Sequence, residues 1–352
     1  MIDFKRHRFL IIIALALFVV VLFLVIMILY RPQSFEITTV DRQANIIGVV
    51  DSGIQSGVSP LSGLPCANWQ RRPVALMVSS DEVARPLSGL SSADLVVEMP
   101  VLLDGTTRMM AVYVCDLPEE IGSVRSARHD FIPLAQGFDA IYVHWGGSHF
   151  ALDILDKKVI DNFDALKDPW EVFYRKNTTS KPHNGFTNQD RVLIASQKLG
   201  YRLTSNLVGY LHQPTTDNVN AVASAGVLKI SYPGSSVVAF RYDPTINKYW
   251  RWRNKIKELD RNDLEQVAAA AVVVVRAESK YLEDQYIDVR LDGQGQCQVF
   301  QNGGAQDCQW HKPNQNSLLK FFDASGQEIK FTPGQLWVEV IEPNRVVSWV
   351  SE

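Results

Sequence analysis

From Phe9 to Tyr30 the chain reads FLIIIALALFVVVLFLVIMILY, without a charged or strongly polar side chain. At 1.5 Å per residue such a helix spans about 33 Å, close to the hydrocarbon thickness of a bilayer. The pattern predicts a single N-terminal transmembrane helix over 9–30, with 1–8 as a cytoplasmic tip. Lys5, Arg6 and Arg8 precede the run and only Arg31 follows it closely. The positive-inside rule then gives a single-pass protein of the cell membrane, its N-terminus cytoplasmic and its body outside. The alternative is a cleaved export signal. The run exceeds the usual apolar core of one, and MILYRPQSF lacks a small-x-small cleavage site. Either way the body is exported. No Cys stands near the end of the run to carry a lipid.

Residues 31–58 show no sustained period and read as a stalk. Over 59–207 short apolar runs alternate with helical patterns. RPVALMVSS (72–80) predicts a buried strand. ADLVVEMPV and TTRMMAVYVC flank LLDG and predict a hairpin. FDAIYVHW predicts a strand, followed by Gly146-Gly147-Ser148 and a helix from about His149 to Lys158. Thr187 and Asp190 resemble a capping box for a helix closing before Gly200. After a linker over 208–225, residues 226–352 hold short runs between Gly, Asn, Asp and Pro turns, with one short helix near 258–267. The fold class expected is α+β: a layered mixed-sheet first domain with flanking helices, then a mostly antiparallel β second domain.

Four Cys are too few for a disulfide scaffold but suit an oxidising compartment. In QCQVFQNGGAQDCQW the Asn302-Gly303 pair signals a type I′ hairpin turn, which sets Cys297 opposite Cys308 within disulfide reach. Cys66 and Cys115 remain as a second pair by elimination. Without Lys5, Arg6, Arg8 and Asp3, the 35 basic and 38 acidic residues become 32 and 37, a formal charge of −5 for the body. Such a body has no global basic footprint, so nucleic acid is not expected as a partner.

Three motifs concentrate polar chemistry. VRSAR (124–128) brings Arg125 and Arg128 together. HWGGSH (144–149) ends a strand and opens a helix at His144 and Ser148. SKPHNGFTN (180–188) sets Lys181, His183 and Asn184 in a loop. Strand-Gly-Gly-Ser-helix geometry presents free amides to an anion, and the Arg and Lys side chains supply countercharge. These seven residues are the candidate ligand-binding cleft, although Gly and Ser at such a turn also serve steric and capping roles. Ser148 with His144, His149 or His183, oriented by Glu98 or Asp94, sketches a nucleophile and base. No G-x-S-x-G spacing fixes a triad, so catalytic residues stay unassigned. Glu98 is expected to pair with Arg108 across the hairpin. His144, His149 and Asp153 match no zinc motif, and neither metal nor cofactor is expected. KYWRWR offers a sugar-stacking strip or, more simply, a strand half core and half surface. Asn177-Thr178-Thr179 is a glycosylation sequon.

The ordered run SPLSGLPCAN, RRPVALMVSS, ARPLSGLSSADLVVEMPV, TRMMAVYV, IGSVRSARHDFI, FDAIYVHWGGSHFAL and KPHNGFTN resembles the first domain of the YerB-like family. SGQEIKFTPGQLWVEVI, after CQWHK, resembles its second. This two-domain family, described as bacterial lipoproteins, has no known function. The resemblance implies a cell-envelope protein of mixed α+β architecture and transfers no catalytic residue. Where the family pattern has Pro, this chain has His129, with Pro133 four residues later; Pro fits a helix's first turn, so the helix should start later. The function expected is a membrane-anchored binding or assembly factor for an anionic or polar ligand such as a cell-wall fragment. The alternatives are a hydrolase or transferase acting on wall glycan or peptide, and a non-catalytic scaffold for a membrane-protein partner.

Overall fold

A computed structural model describes residues 57–214, 225–234 and 236–351. The predicted tip, membrane helix and stalk up to residue 56 lie outside them. Among the described residues no helix is long and apolar enough to cross a membrane. The body is mainly β-sheet, which corrects the expected α+β class. Its α-helices among the described residues are α1 (Ile132–Gly137), α2 (His149–Leu155) and α3 (Gln189–Lys198).

The strands that carry the architecture are β1 (Val74–Ser79), β2 (Leu95–Pro100), β3 (Thr107–Tyr113), β4 (Ile141–His144), β5 (Asn162–Asp164), β6 (Gly226–Ser231), β7 (Val237–Asp243), β8 (Lys248–Arg253), β9 (Ala271–Arg276), β10 (Gly293–Gln301), β11 (Gly304–Lys312), β12 (Lys320–Phe322), β13 (Leu336–Ile341) and β14 (Val347–Ser351). One ten-stranded sheet runs β12-β11-β10-β9-β13-β2-β3-β1-β4-β5. It passes through both sequence segments, because β13 pairs in parallel with β2, Leu336 beside Leu95 and Glu339 beside Glu98. The two segments therefore share one sheet within a single compact unit. In the second part the strand pairings are mostly antiparallel, and β9 with β13 is a parallel pair.

The central strands are continuous apolar runs because both sheet faces are covered. Successive side chains point to opposite faces. Ala75, Met77, Val97, Val112, Val273 and Val338 pack on one side with Ile132, Leu134 and Leu155 of the helices. Val74, Leu76, Val96, Ala111, Val272 and Trp337 pack on the other with Leu228, Ile230, Val238 and Phe240 of a second sheet. That sheet has the order β8-β7-β6-β14 at its centre. Helices α1 and α2 cover the first face, while the second is covered mostly by this sheet, with Val192 and Ala195 of α3 beside it, so the helical content is smaller than the alternating pattern suggested.

Local expectations divide by how local their cause is. Helix α1 begins after a 3-10 turn at His129–Phe131, with Pro133 in its first turn. The Asn302-Gly303 turn has both φ angles positive and places Cys297 opposite Cys308. By contrast, 258–267 is not helical. Leu259 bridges Gln266, and Asp260 accepts the Gly89 and Ser91 amides at 2.9 and 2.8 Å, a tertiary use of a carboxylate. Helix α3 is capped by Asn188, which accepts the Arg191 amide, while Thr187 donates to the Val172 carbonyl.

Candidate functional site

Strands β1, β4 and β5 are parallel, so their carboxyl ends lie on one edge. In open α/β sheets ligands bind in the crevice outside the carboxyl ends of parallel strands, which makes this edge the place to look. The segment 121–128 crosses it. Ile121–Gly122 pairs with Gly185–Thr187, where a Cβ on Gly122 would sit 2.4 Å from the Phe186 ring. The chain then wedges between β1 and β4. Val124 donates to the Gly185 carbonyl, Arg125 to Met77 and Ala127 to Gly146, while Trp145 donates back to Arg125. Gly146 takes φ +60°, a left-handed turn that lets the chain leave β4 and enter α2. VRSAR, HWGGSH and the loop before Gly185 are therefore hydrogen-bonded neighbours.

Around this crossing the side chains form a cationic cluster on one carboxylate. Asp81, just past β1, accepts from Ser79 Oγ at 2.7 Å. Its Oδ2 lies 3.6 Å from Arg108 Nη1, 3.8 Å from Arg125 Nε and 3.8 Å from His183 Nδ1. Burial first, and then neighbouring guanidiniums, lower Arg108 and Arg128: Arg125 and Arg128 act on Arg108, and Arg125 acts on Arg128. The Nε atoms of Arg108, Arg125 and Arg128 and Nδ1 of His183 are buried without a hydrogen-bond partner. Arg108 and Arg128 each spend one Nη on a neighbouring carbonyl, Thr107 and Ala127. Burial pushes the Arg108 guanidinium down to about 10 against the pull of Asp81. Burial and then Arg125 lower His183. Burial would raise the Asp81 carboxyl, but Arg108, the Ser79 hydroxyl, Arg125 and His183 together hold it below the usual carboxylate range. Asp81 and Arg125 keep 28 % and 17 % of their side chains exposed, so the cluster opens to solvent through these two.

The structure brings Arg125, Arg128 and His183 of the expected cleft together. The other four expected residues take different positions. His144 is fully buried, its Nδ1 2.9 Å from the Gly146 carbonyl and its Nε2 3.1 Å from Asn162 Oδ1. Ser148 is the N-cap of α2, its Oγ accepting the Ala151 amide. Asn184 accepts from Arg175 and donates to the Lys176 carbonyl, bracing its loop. Lys181 is exposed. Sequence reasoning missed Asp81 and Arg108. Arg108 carried a signal, a charge inside the otherwise apolar TRMMAVY, but it was assigned to Glu98. The sketched orienting acids are also occupied. Asp94 accepts Ser59 and Ser62 hydroxyls and the Val114 amide. Glu98 binds Thr107, Arg251 and Arg253. Cys66 is joined to Cys115 and Cys297 to Cys308. In KYWRWR, Tyr249, Arg251 and Arg253 point inward, and Trp250 and Trp252 line an open groove of about 560 Å³.

Residues 61–202 match the model described as "Protein of unknown function (DUF3048) N-terminal domain", and 228–338 match the corresponding C-terminal domain. The chain is 32 % identical over 290 residues to "Putative lipoprotein YerB" of Bacillus subtilis (strain 168), covering 80 % of this chain and 86 % of that one. A crystal structure of YerB from Bacillus subtilis superposes with a TM-score of 0.75 at 29 % identity, over 83 % of this chain and 99 % of that chain.

Proposed function

The chain belongs to the two-domain DUF3048 family, and from that premise we propose that it is an extracytoplasmic binding protein whose Asp81 cluster receives an anionic group of a cell-envelope ligand. One observation carries this reading. The guanidiniums of Arg108 and Arg125 and the imidazole of His183 converge on Asp81 within ion-pair reach, and their buried Nε and Nδ1 atoms, with the Nε of neighbouring Arg128, lack hydrogen-bond acceptors. Buried donors without partners cost free energy, and an incoming carboxylate or phosphate would satisfy them with charge-assisted bonds. Two disulfides and a relative named as a lipoprotein support a place outside the cytoplasm.

The hydrolase or transferase alternative lacks comparable support, because Ser148 and His144 spend their polar atoms on holding α2 and the β4 turn. The test is incubation of the full chain with muropeptides and with anionic wall polymers, following binding and mass together. Salt-sensitive binding without mass change is expected. Absence of binding to every anionic fragment would overturn the proposal, and a mass change would replace it with the enzyme.

A further inference from the structure

A different group of side chains meets where the second family segment folds over the first. His129 and Asp130 lie in the 3-10 turn before α1, and Asp288 lies in the short strand Ile287–Val289. His129 Nε2 is 3.2 Å from Asp130 Oδ1 and 3.5 Å from Asp288 Oδ1. One donor atom from each of the three residues falls within 4.8 Å of the others. We propose that His129, Asp130 and Asp288 bind a divalent transition-metal cation of the zinc class and that this ion joins the two family segments.

The geometry has the spacing such an ion needs. Ligands about 2.0–2.2 Å from a tetrahedral ion stand about 3.4 Å from one another. The two measured separations bracket that value. Donor satisfaction points the same way. Asp130 is 6 % exposed, its Oδ1 accepts the Val289 amide at 2.9 Å, and its Oδ2 is buried with no hydrogen-bond partner. Neither ring nitrogen of His129 makes a hydrogen bond. A neutral imidazole and two carboxylates balance a +2 ion, and a set containing nitrogen favours zinc-like ions over magnesium or calcium.

The surroundings leave room for an incomplete protein shell. The trio borders a cavity of about 590 Å³. Neighbouring cations are mostly engaged elsewhere: Arg128 donates to the Ala127 carbonyl and faces the Tyr286 ring, and Lys312 Nζ is held by three carbonyls within 2.9 Å. Lys280 and Arg290 also line the cavity, so a position left open on the ion suits water or an anion. No motif spacing announces this group, because the third donor comes from the other segment.

The test uses the purified full chain without a polyhistidine tag, stripped by chelator and titrated with Zn²⁺, with metal counted by elemental analysis. One ion per chain is expected, bound at least tenfold more weakly by His129→Ala and by Asp288→Asn, and not displaced by a tenfold excess of Mg²⁺. Asp288 is 39 % exposed on its hairpin, so its Asn variant should keep the native circular dichroism and report on the site rather than on folding. No stoichiometric zinc, unchanged affinity in both variants, or displacement by Mg²⁺ would overturn the assignment.

Discussion

Glu98 and Glu339 are paired residues on adjacent parallel strands, both fully buried. Two carboxylates at neighbouring positions inside a core would repel strongly, yet this is where the two family segments join their sheets. The pair is held by cations from the second sheet. Arg251 and Arg253 both reach Glu98; Arg251 also meets Glu258 at 2.6 Å and Glu339 at 3.5 Å. Arg251 lies over the Trp337 ring at 4.1 Å, and Arg85 approaches Glu258 at 3.2 Å.

Removing the central cation should unfold the body readily. Breaking a buried ion pair by deleting one partner costs about 3–5 kcal/mol, because the other charge stays buried. Arg251→Met keeps much of the volume but leaves Glu98, Glu258 and Glu339 short of a counterion. Urea denaturation should show a loss in that range, with partial recovery in Arg251→Met/Glu339→Gln. A loss below 1 kcal/mol would contradict the network's role.

The same pair should write a pH signature. Burial and then Glu98 push the Glu339 carboxyl up to about 7, while Arg253 and Arg251 outweigh burial and hold Glu98 below its ordinary range. Glu339 thus binds its proton more tightly when folded than unfolded, so its stability contribution is fully present below the ordinary carboxylate pKa. That contribution is lost as pH rises through about 7. Buried His144 and His183 are lowered, which acts in the opposite sense as pH falls. Comparison with Glu339→Gln isolates the first effect. The difference in denaturation midpoint between wild type and this variant should change between pH 5 and about 7.5, and a constant difference would refute the upward shift of the Glu339 carboxyl.

What the sequence disclosed follows the range of the physics. Val74–Ser79, the hairpin of β2 and β3, the Asn302-Gly303 turn and the late start of α1 depend on neighbours within a few residues, and all were readable. The parallel pairing of β13 with β2 has no local signal, so the shared sheet was missed. Glu98 was assigned to Arg108 by proximity. In the structure Arg108 stands opposite Met99 and turns to Asp81, because alternation sends neighbouring strand residues to opposite faces. Arg125, Arg128 and His183 were legible as cations near turns. Asp81 was not, since nothing in SSDEVA marks the residue on which they converge.

The two disulfides should contribute unequally. In the chain-entropy treatment a cross-link stabilises more as the loop it closes lengthens. Cys66–Cys115 spans 49 residues and Cys297–Cys308 spans 11, for which that treatment gives about 4 and about 3 kcal/mol. The paired Cys66→Ala/Cys115→Ala variant should therefore lower the urea midpoint more than Cys297→Ala/Cys308→Ala. The reverse order would mean that the hairpin bridge supports packing beyond its own loop.

The anion cluster makes the sharpest demand, because Asp81 is both its internal counterion and the group an incoming anion must displace or share. Removing that charge should weaken the free protein and strengthen the complex. Asp81→Asn leaves Arg108 and Arg125 without their nearest carboxylate, so the melting temperature in dilute buffer should fall. Added phosphate should then raise it by more than it raises wild type. Arg125→Ala, at the open side of the cluster, should lose the phosphate response with little change in the unliganded melting temperature, since partly exposed ion pairs contribute about 0–1 kcal/mol. His183 is held below its ordinary range by burial and by Arg125. An anion that favours its protonated form should therefore bind more tightly as pH falls below about 6.5, the unperturbed histidine value. This dependence should disappear in His183→Gln. A phosphate response equal in wild type, Asp81→Asn and Arg125→Ala would show that the cluster is a brace for three loops and not a binding site.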